Sequence, residues 1–251
     1  GMARQLPRRG EGLYMITLSV GDEPERYCKR LEAKGIKVYW DVPDSGKELA
    51  GAPRQVRPQV ARPVHPLIHP RGTHGVLYEL GRHDPTMLRK TAPPASPFKK
   101  VMAIHIVCRD NDAALKTYTQ GLELDSAVRS SVYEKGRYKE HTLTMGDVAL
   151  QLVQPLAGAG AQTRGGDMAR ALEQNGEGLY MVEVDVTDPE DYAKGLEAKG
   201  VQVDRIVPEA GKVVEGRPNL PVPPGTVHVM PNTRYTHGVR WELGRYRPIL
   251  T

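Results

Sequence analysis

Phenylalanine occurs once, tryptophan twice and cysteine twice in 251 residues, and each scarcity excludes a class of protein. Cys28 and Cys108 stand in no metal-binding or redox motif, so a disulfide framework or zinc ribbon is excluded and both read as small buried hydrophobes. The few aromatics lie in no basic stripe, which removes the stacking surface of a single-strand nucleic-acid binder. No apolar run approaches the ~18 residues of a membrane span, and no basic, apolar, small-residue order opens the chain. Neither membrane nor signal peptide is read, and the cytoplasm is the expected location. A formal charge of +5 favours an anionic partner, but 35 basic residues are interspersed with 30 acidic ones, so nucleic acid is not implied. A mean hydropathy of -0.48 with 39% hydrophobic residues fits a soluble globular chain.

What the chain does have is a repeat. Gly10-Glu11-Gly12-Leu13-Tyr14-Met15 returns as Gly176-Glu177-Gly178-Leu179-Tyr180-Met181, and Leu31 to Gly35 as Leu196 to Gly200. Thr73-His74-Gly75-Val76 returns as Thr236-His237-Gly238-Val239, and both copies close on Glu-Leu-Gly-Arg, at Glu79–Arg82 and Glu242–Arg245. A repeated supersecondary unit implies repeated packing. Met2 to Leu6 also parallels Met168 to Leu172, so the start is expected to fall inside a linker, and a native gene that begins upstream is one of two routes, beside a dimer, to a partner for the first copy. Gly1 ahead of a Met reads as a cleavage scar.

In the first copy, Leu13 to Val20 alternates as a strand covered on one side, and Glu25 to Lys34 is a helix with Pro24 at its first position and Gly35 as its left-handed stop. Residues 41–72 read as a long crossover with a strand near Pro66 to His69, and Val76 to Leu80 closes the unit. Residues 84–97 are a Pro-rich linker. Beyond it, Val101 to Cys108 is a strand with Ala103, His105 and Val107 on one face, and Asp112 is expected to cap a helix over Ala113 to Gln120. Tyr138–Met145 and Val148–Gln154 form a hairpin around Gly146-Asp147. A small-residue linker (157–166) and a short helix near Met168 to Leu172 lead to the second copy. Its strand puts Tyr180, Val182, Val184 and Val186 on one face and Met181, Glu183 and Asp185 on the other. Asp188 and Pro189 start its helix, and strands follow over Val201–Ile206, Thr226–Met230 and Val239–Leu243.

Strand-helix-strand-strand-strand units in pairs, opening in Ala103-Ile104-His105-Ile106-Val107-Cys108 and closing in Gly238-Val239-Arg240-Trp241-Glu242-Leu243, resemble the vicinal oxygen chelate superfamily of glyoxalases, bleomycin-resistance proteins and extradiol dioxygenases. The methylmalonyl-CoA epimerases and glyoxalases are the nearest likeness. The resemblance implies an α+β fold of paired βαβββ modules whose curled mixed sheets enclose a cleft. Three modules are expected: residues 1–83 hold a lone second-type module, 84–98 the linker, and 99–251 a complete pair. It also implies a divalent metal held by one residue of each first strand and one of each later strand. Carried over, those positions are Ala103, Gln151, Met181 and Glu242, with Met15 and Glu79 in the lone module. Two of the four are apolar, so the usual metal site is broken and no cofactor is expected, a divalent metal being the minority reading.

His105 and Glu183 lie two residues beyond the lost positions and keep the same strand face. With Asp185, Gln151 and Glu242 they can form a displaced acid-base or metal cluster, or else merely line a cleft. His105, Glu183 and Glu242 are the catalytic candidates; Gln151, Met181, Asp185, His228 and Arg240 are the ligand-binding ones. Glu242 and Glu79 can equally be strand-end partners of Arg240, Arg245 or Arg82, and His74 and His237 suit a turn role. Glu134 and Glu140 lie near the catalytic carboxylate of epimerase-like relatives, and neither is assigned. Three functions remain: binding of a small anionic or aromatic molecule in a metal-free cleft, lyase, isomerase or epimerase chemistry at the displaced site, and extradiol dioxygenation, which the missing His pair disfavours. The lone module leaves a sheet face without a partner, so a homodimer through residues 10–83 is expected.

Overall fold

The computed structural model describes residues 11–20, 24–41, 65–81, 96–124, 128–215 and 222–246. They belong to two compact units, one spanning Met15–Thr91 and the other Ala92–Thr251 with Gly1–Tyr14. Each is described by itself.

The smaller unit runs β1 (Met15–Ser19), α1 (Pro24–Ala33), β2 (Val38–Asp41), β3 (His65–Ile68) and β4 (Leu77–Gly81). Its sheet has the order β1-β4-β3-β2, with first and last strands parallel. Ile16, Tyr78 and Leu80 of the sheet are buried, as are Cys28 and Leu31 of α1. Gly35 takes φ 80° and ends the helix as expected. β2 falls where the sequence shows a Lys-Val-Tyr-Trp run too short for a period to register. The expected crossover lies outside the described residues over 42–64, as does the linker except for 96 and 97.

The larger unit holds two modules. The first is β5 (Phe98–Val107), α2 (Asn111–Lys116), β6 (Arg129–Tyr133), β7 (Tyr138–Met145) and β8 (Val148–Pro155). After α3 (Arg164–Asn175) the second follows as β9 (Gly178–Val186), α4 (Pro189–Glu197), β10 (Val203–Ile206), β11 (Lys212–Glu215), β12 (His228–Pro231) and β13 (Trp241–Gly244). All lie in one nine-stranded sheet, β10-β12-β13-β9-β5-β8-β7-β6-β11. Both modules repeat the small unit's order of first, last, third and second strand, and the fold is the paired βαβββ architecture expected from the resemblance.

Three local expectations need correction. Asp110, not Asp112, caps α2, accepting from the Asp112 and Ala113 amides at 3.0 Å, because it stands at the strand-to-helix corner in an extended conformation. Asp112, in the first turn, instead receives His141 and Lys139. The helix winds into a π-turn over Thr117–Gly121 rather than running regularly to Gln120. The supposed linker before Met168 already contains the first turn of α3, capped by Thr163.

The module strands bearing His105 and Glu183 do not face each other across a gap. β5 and β9 are antiparallel neighbours whose register shifts at three points, between Phe98 and Lys100, Val101 and Ala103, and His105 and Ile106. Such bulges turn and twist the seam and curl the sheet around a cleft. The extra strand β11 pairs with β6 of the first module, so a segment of the second module reaches the far edge of the sheet.

Candidate functional site

One cavity of about 720 Å3 opens on the concave side of this sheet. His105 from β5, Gln151 from β8, Glu183 from β9 and Glu242 from β13 line it, joined by Glu140 of β7, His228 of β12 and Arg164 of α3. The first four come from the first and last strand of each module. They meet because β5 pairs β8 and β9, placing His105 opposite Gln151, and β9 pairs β13, placing Glu183 opposite Glu242. All four are buried, as are Glu140 and His228.

Of the sequence candidates, then, the structure gathers His105, Gln151, Glu183, His228 and Glu242 around one cavity. Three others lie elsewhere. Met181 packs with Val107, Tyr138, Val153, Met168 and Tyr180 in the core. Asp185 accepts from the Tyr246 amide and pairs with Lys99 at 3.6 Å. Arg240 binds Asp167, and its guanidinium stacks 5.1 Å from the Tyr180 ring. The cleft level assigned by carry-over to Ala103 and Met181 is taken by His105 and Glu183, since the bulged β5–β9 seam sets the depth of each residue and parity alone cannot.

Two imidazole–carboxylate pairs organise the site. His105 Nε2 lies 2.7 Å from Glu183 Oε1, and His228 Nδ1 lies 2.7 Å from Glu242 Oε1. In the neutral ring, donation from His105 Nε2 to Glu183 leaves Nδ1 as an acceptor, and that atom is buried without a protein partner. Gln151 Oε1 and Arg129 Nε are likewise buried and unpartnered among the described residues. Unsatisfied polar atoms gathered at a cleft cost stability and mark a place for ligand groups. The close fit of His228 over the end of β13 requires Gly244, where a Cβ would stand 2.4 Å from the imidazole.

Glu140 is buried among these groups and accepts from Thr142 Oγ1 at 2.7 Å. Burial pushes its carboxyl above the usual range, a shift that the nearby His105 opposes and the Glu183 charge reinforces. Burial also opposes the charge on Glu242, but Arg164 and His228 outweigh it and hold this carboxyl down, to about 2. Two acids lining one cavity are therefore driven in opposite directions.

Arg164 was not foreseen, because it sits in what reads as a glycine-rich linker. It is the first residue of α3, and its Nη2 lies 2.7 Å from Glu242 Oε2 and 3.9 Å from Glu183 Oε1. The stem passes over Tyr138, with the guanidinium 5.6 Å from the ring. Gly165 and Gly166 fix its backbone: a Cβ on Gly165 would meet the Arg137 carbonyl at 2.0 Å, and one on Gly166 the Gly160 carbonyl at 2.0 Å. The helix start is thus seated against the β6–β7 turn, and the Gly165 amide donates to Gly136 O at 2.7 Å. The sequence signal available was Thr163-Arg164-Gly165-Gly166, a cap followed by one long cation and two residues without side chains.

The resemblance implies a divalent metal, and His105, Gln151, Glu183 and Glu242 have suitable donor chemistry. Their arrangement does not fit one. The imidazole is engaged with Glu183 and the guanidinium lies against both carboxylates, and among the described residues no three His, Cys, Asp or Glu groups converge to hold an ion.

No family model and no curated protein matches this chain. Among solved structures it is similar to methylmalonyl-CoA epimerase from Mycobacterium tuberculosis, with 18% identity over 64% of this chain and 96% of that one and a TM-score of 0.49. A Streptomyces coelicolor methylmalonyl-CoA epimerase in complex with 2-nitronate-propionyl-CoA aligns at 22% identity over 58% and 96%, TM-score 0.43. A hypothetical protein of Bacillus halodurans aligns at 19% over 59% and 94%, TM-score 0.44. No helix among the described residues is long and apolar enough to cross a membrane.

Proposed function

We propose that residues 99–246 form a proton-transfer enzyme of the isomerase, epimerase or lyase type acting on a small anionic carbon acid. The observation that supports this reading best is the burial of three carboxylates and two imidazoles around a single cleft, with Glu140 and Glu242 driven in opposite directions. A site made only to hold a ligand has no need of so many buried ionisable groups, each of which opposes folding unless compensated.

The roles follow from the contacts. Glu183 orients the ring of His105, leaving Nδ1 to take a proton from the carbon beside a carbonyl or carboxylate. Glu140, kept toward its protonated form, returns a proton to carbon. His105 is then protonated and Glu140 ionised, and exchange with solvent restores both. Arg129 and Arg164 bring positive charge to the same cleft, consistent with an anionic substrate.

Proton nuclear magnetic resonance in deuterium oxide tests this with a panel of 2-oxo acids, β-keto acids and short acyl thioesters. Exchange at the α-carbon of at least one is expected, lost in His105→Gln and Glu140→Gln. Saturable binding of these compounds without exchange in any would replace the enzyme reading by sequestration of an anionic ligand.

We also propose that the chain forms a homodimer through the module of residues 10–83. In the four-stranded sheet β1 pairs, among the described residues, only with β4, whereas its repeat counterpart β9 has both β13 and β5 as neighbours. A second copy would supply a strand to that edge. Light scattering should give twice the chain mass at micromolar concentration; a monomer that keeps this module folded overturns the proposal.

A further inference from the structure

A guanidinium reaches into the cleft from outside the eight module strands that shape it, and its position is built rather than incidental. Thr163 caps α3 by accepting from the Gly166 amide at 3.1 Å, and the two glycines let the helix start press against the carbonyls of Arg137 and Gly160. From that anchor the side chain crosses Tyr138, contacts Met181 Sδ at 3.6 Å, and ends at Glu242 and Glu183 through one nitrogen, Nη2. The side chain is 23% exposed and lines the cavity, and the ion-pair contacts with both carboxylates use Nη2, not Nε or Nη1. Burial works against its charge, yet Glu242, Tyr138 and Glu183 hold the group cationic.

We propose that Arg164 is the resident cation of this cleft: its guanidinium takes the position beside Glu183 and Glu242 that a divalent metal would need, and its remaining N–H groups bind the oxyanion of the substrate. The charge arithmetic supports it. Two buried carboxylates from adjacent strands repel each other unless a cation stands between them, and a fixed guanidinium supplies one without coordination chemistry. An ion using Glu242 Oε2 as a ligand would have to displace a group 2.7 Å away that carries the same sign of charge. Arg129, whose buried Nε lacks a partner among the described residues, lines the same cavity, so a planar carboxylate or enolate has two guanidinium groups to meet it. The oxyanion role rests on the proton-transfer reading above; the displacement of metal does not.

Removing the guanidinium while keeping the stem tests the displacement directly. Purified without exposure to immobilised metal, the full chain is titrated with Co2+ alone and followed by visible absorption and by melting temperature. The original protein should show no saturable uptake and no shift in melting temperature below millimolar Co2+. Arg164→Met, which preserves the packing over Tyr138, should bind Co2+ on the order of tenfold more tightly or better, reversibly on chelation, with the loss of that gain in Arg164→Met/Glu242→Gln. Stoichiometric micromolar Co2+ uptake by the original protein overturns the proposal whether or not the variants fold, as does a folded Arg164→Met that binds Co2+ no more tightly. Because no substrate enters the titration, its failure leaves the proton-exchange experiment standing, and failure of exchange leaves this result standing.

Discussion

The chain builds the same module twice from nearly the same words, and the two copies surround their strand-end glutamate with different neighbours. In both, Thr-His-Gly-Val makes the turn into the last strand, with His74 and His237 at φ 49° and a glycine after each. Both place a glutamate on that strand, Glu79 or Glu242, beside the first strand of the module. In the lone module the neighbour is Thr17, whose hydroxyl donates to Glu79 Oε2 at 3.2 Å. In the paired module it is Glu183, which the adjoining module meets with His105, while Arg164 and His228 hold Glu242. A strand-end glutamate is therefore a scaffold feature, and what distinguishes Glu242 is the set of charged neighbours around it, Glu183 and His228 from its own module and Arg164 from the helix before it.

Breaking that contrast should have its largest effect at the carboxylate itself. Glu242→Gln strands Arg164 beside a neutral amide and should cost about 3–5 kcal/mol of stability in the larger unit, against about 1 kcal/mol or less for Glu79→Gln, read by chemical denaturation. Equal losses would mean that Glu242 too is only a strand-end group. Next, Val184 is buried in the paired module while its counterpart Leu18 is half-buried. An aspartate at Val184 should cost about 3 kcal/mol or more and one at Leu18 about 1 kcal/mol, each lowering one calorimetric transition only.

Converting one copy into the other sharpens the comparison. Glu183→Thr should lower α-proton exchange about 100-fold, because the His105 ring loses the group that orients it, while Thr17→Glu should create no exchange. A full-rate Glu183→Thr variant would remove His105 as the base. The smallest effect concerns pH. The raised carboxyl of Glu140 contributes stability that is present below its unfolded value near 4.5 and lost as pH rises through its folded value. Glu140→Gln should thus gain stability relative to the original protein as pH rises from about 4 to about 8, read by chemical denaturation at each pH. Glu242 runs the other way: its stabilisation is present above the unfolded value and lost as pH falls toward about 2. The smaller unit, where Glu79 accepts from Thr17 instead, should show neither trend.

The repeat, the hairpin at Gly146-Asp147, the Asp188-Pro189 helix start and the inward parity of His105 and Glu183 were all legible in the residues, because caps, turns and alternation are local properties of a chain. Three things were not. The short strands β2, β6 and β11 carry too few residues to display a period, and they form because a neighbouring strand edge is there to receive them. The depth of each residue along β5 and β9 depends on bulges created by pairing between distant segments, which is why Ala103 and Met181 stood in the sequence where His105 and Glu183 stand in the cleft. The place of Arg164 depends on two glycines packing against carbonyls far from them in the chain. The sequence by itself determined the modules, since each is written in contiguous local signals. Only the tertiary structure decided which charges meet, because a buried ion pair is set by the register of non-adjacent strands and by how closely a helix end can approach them.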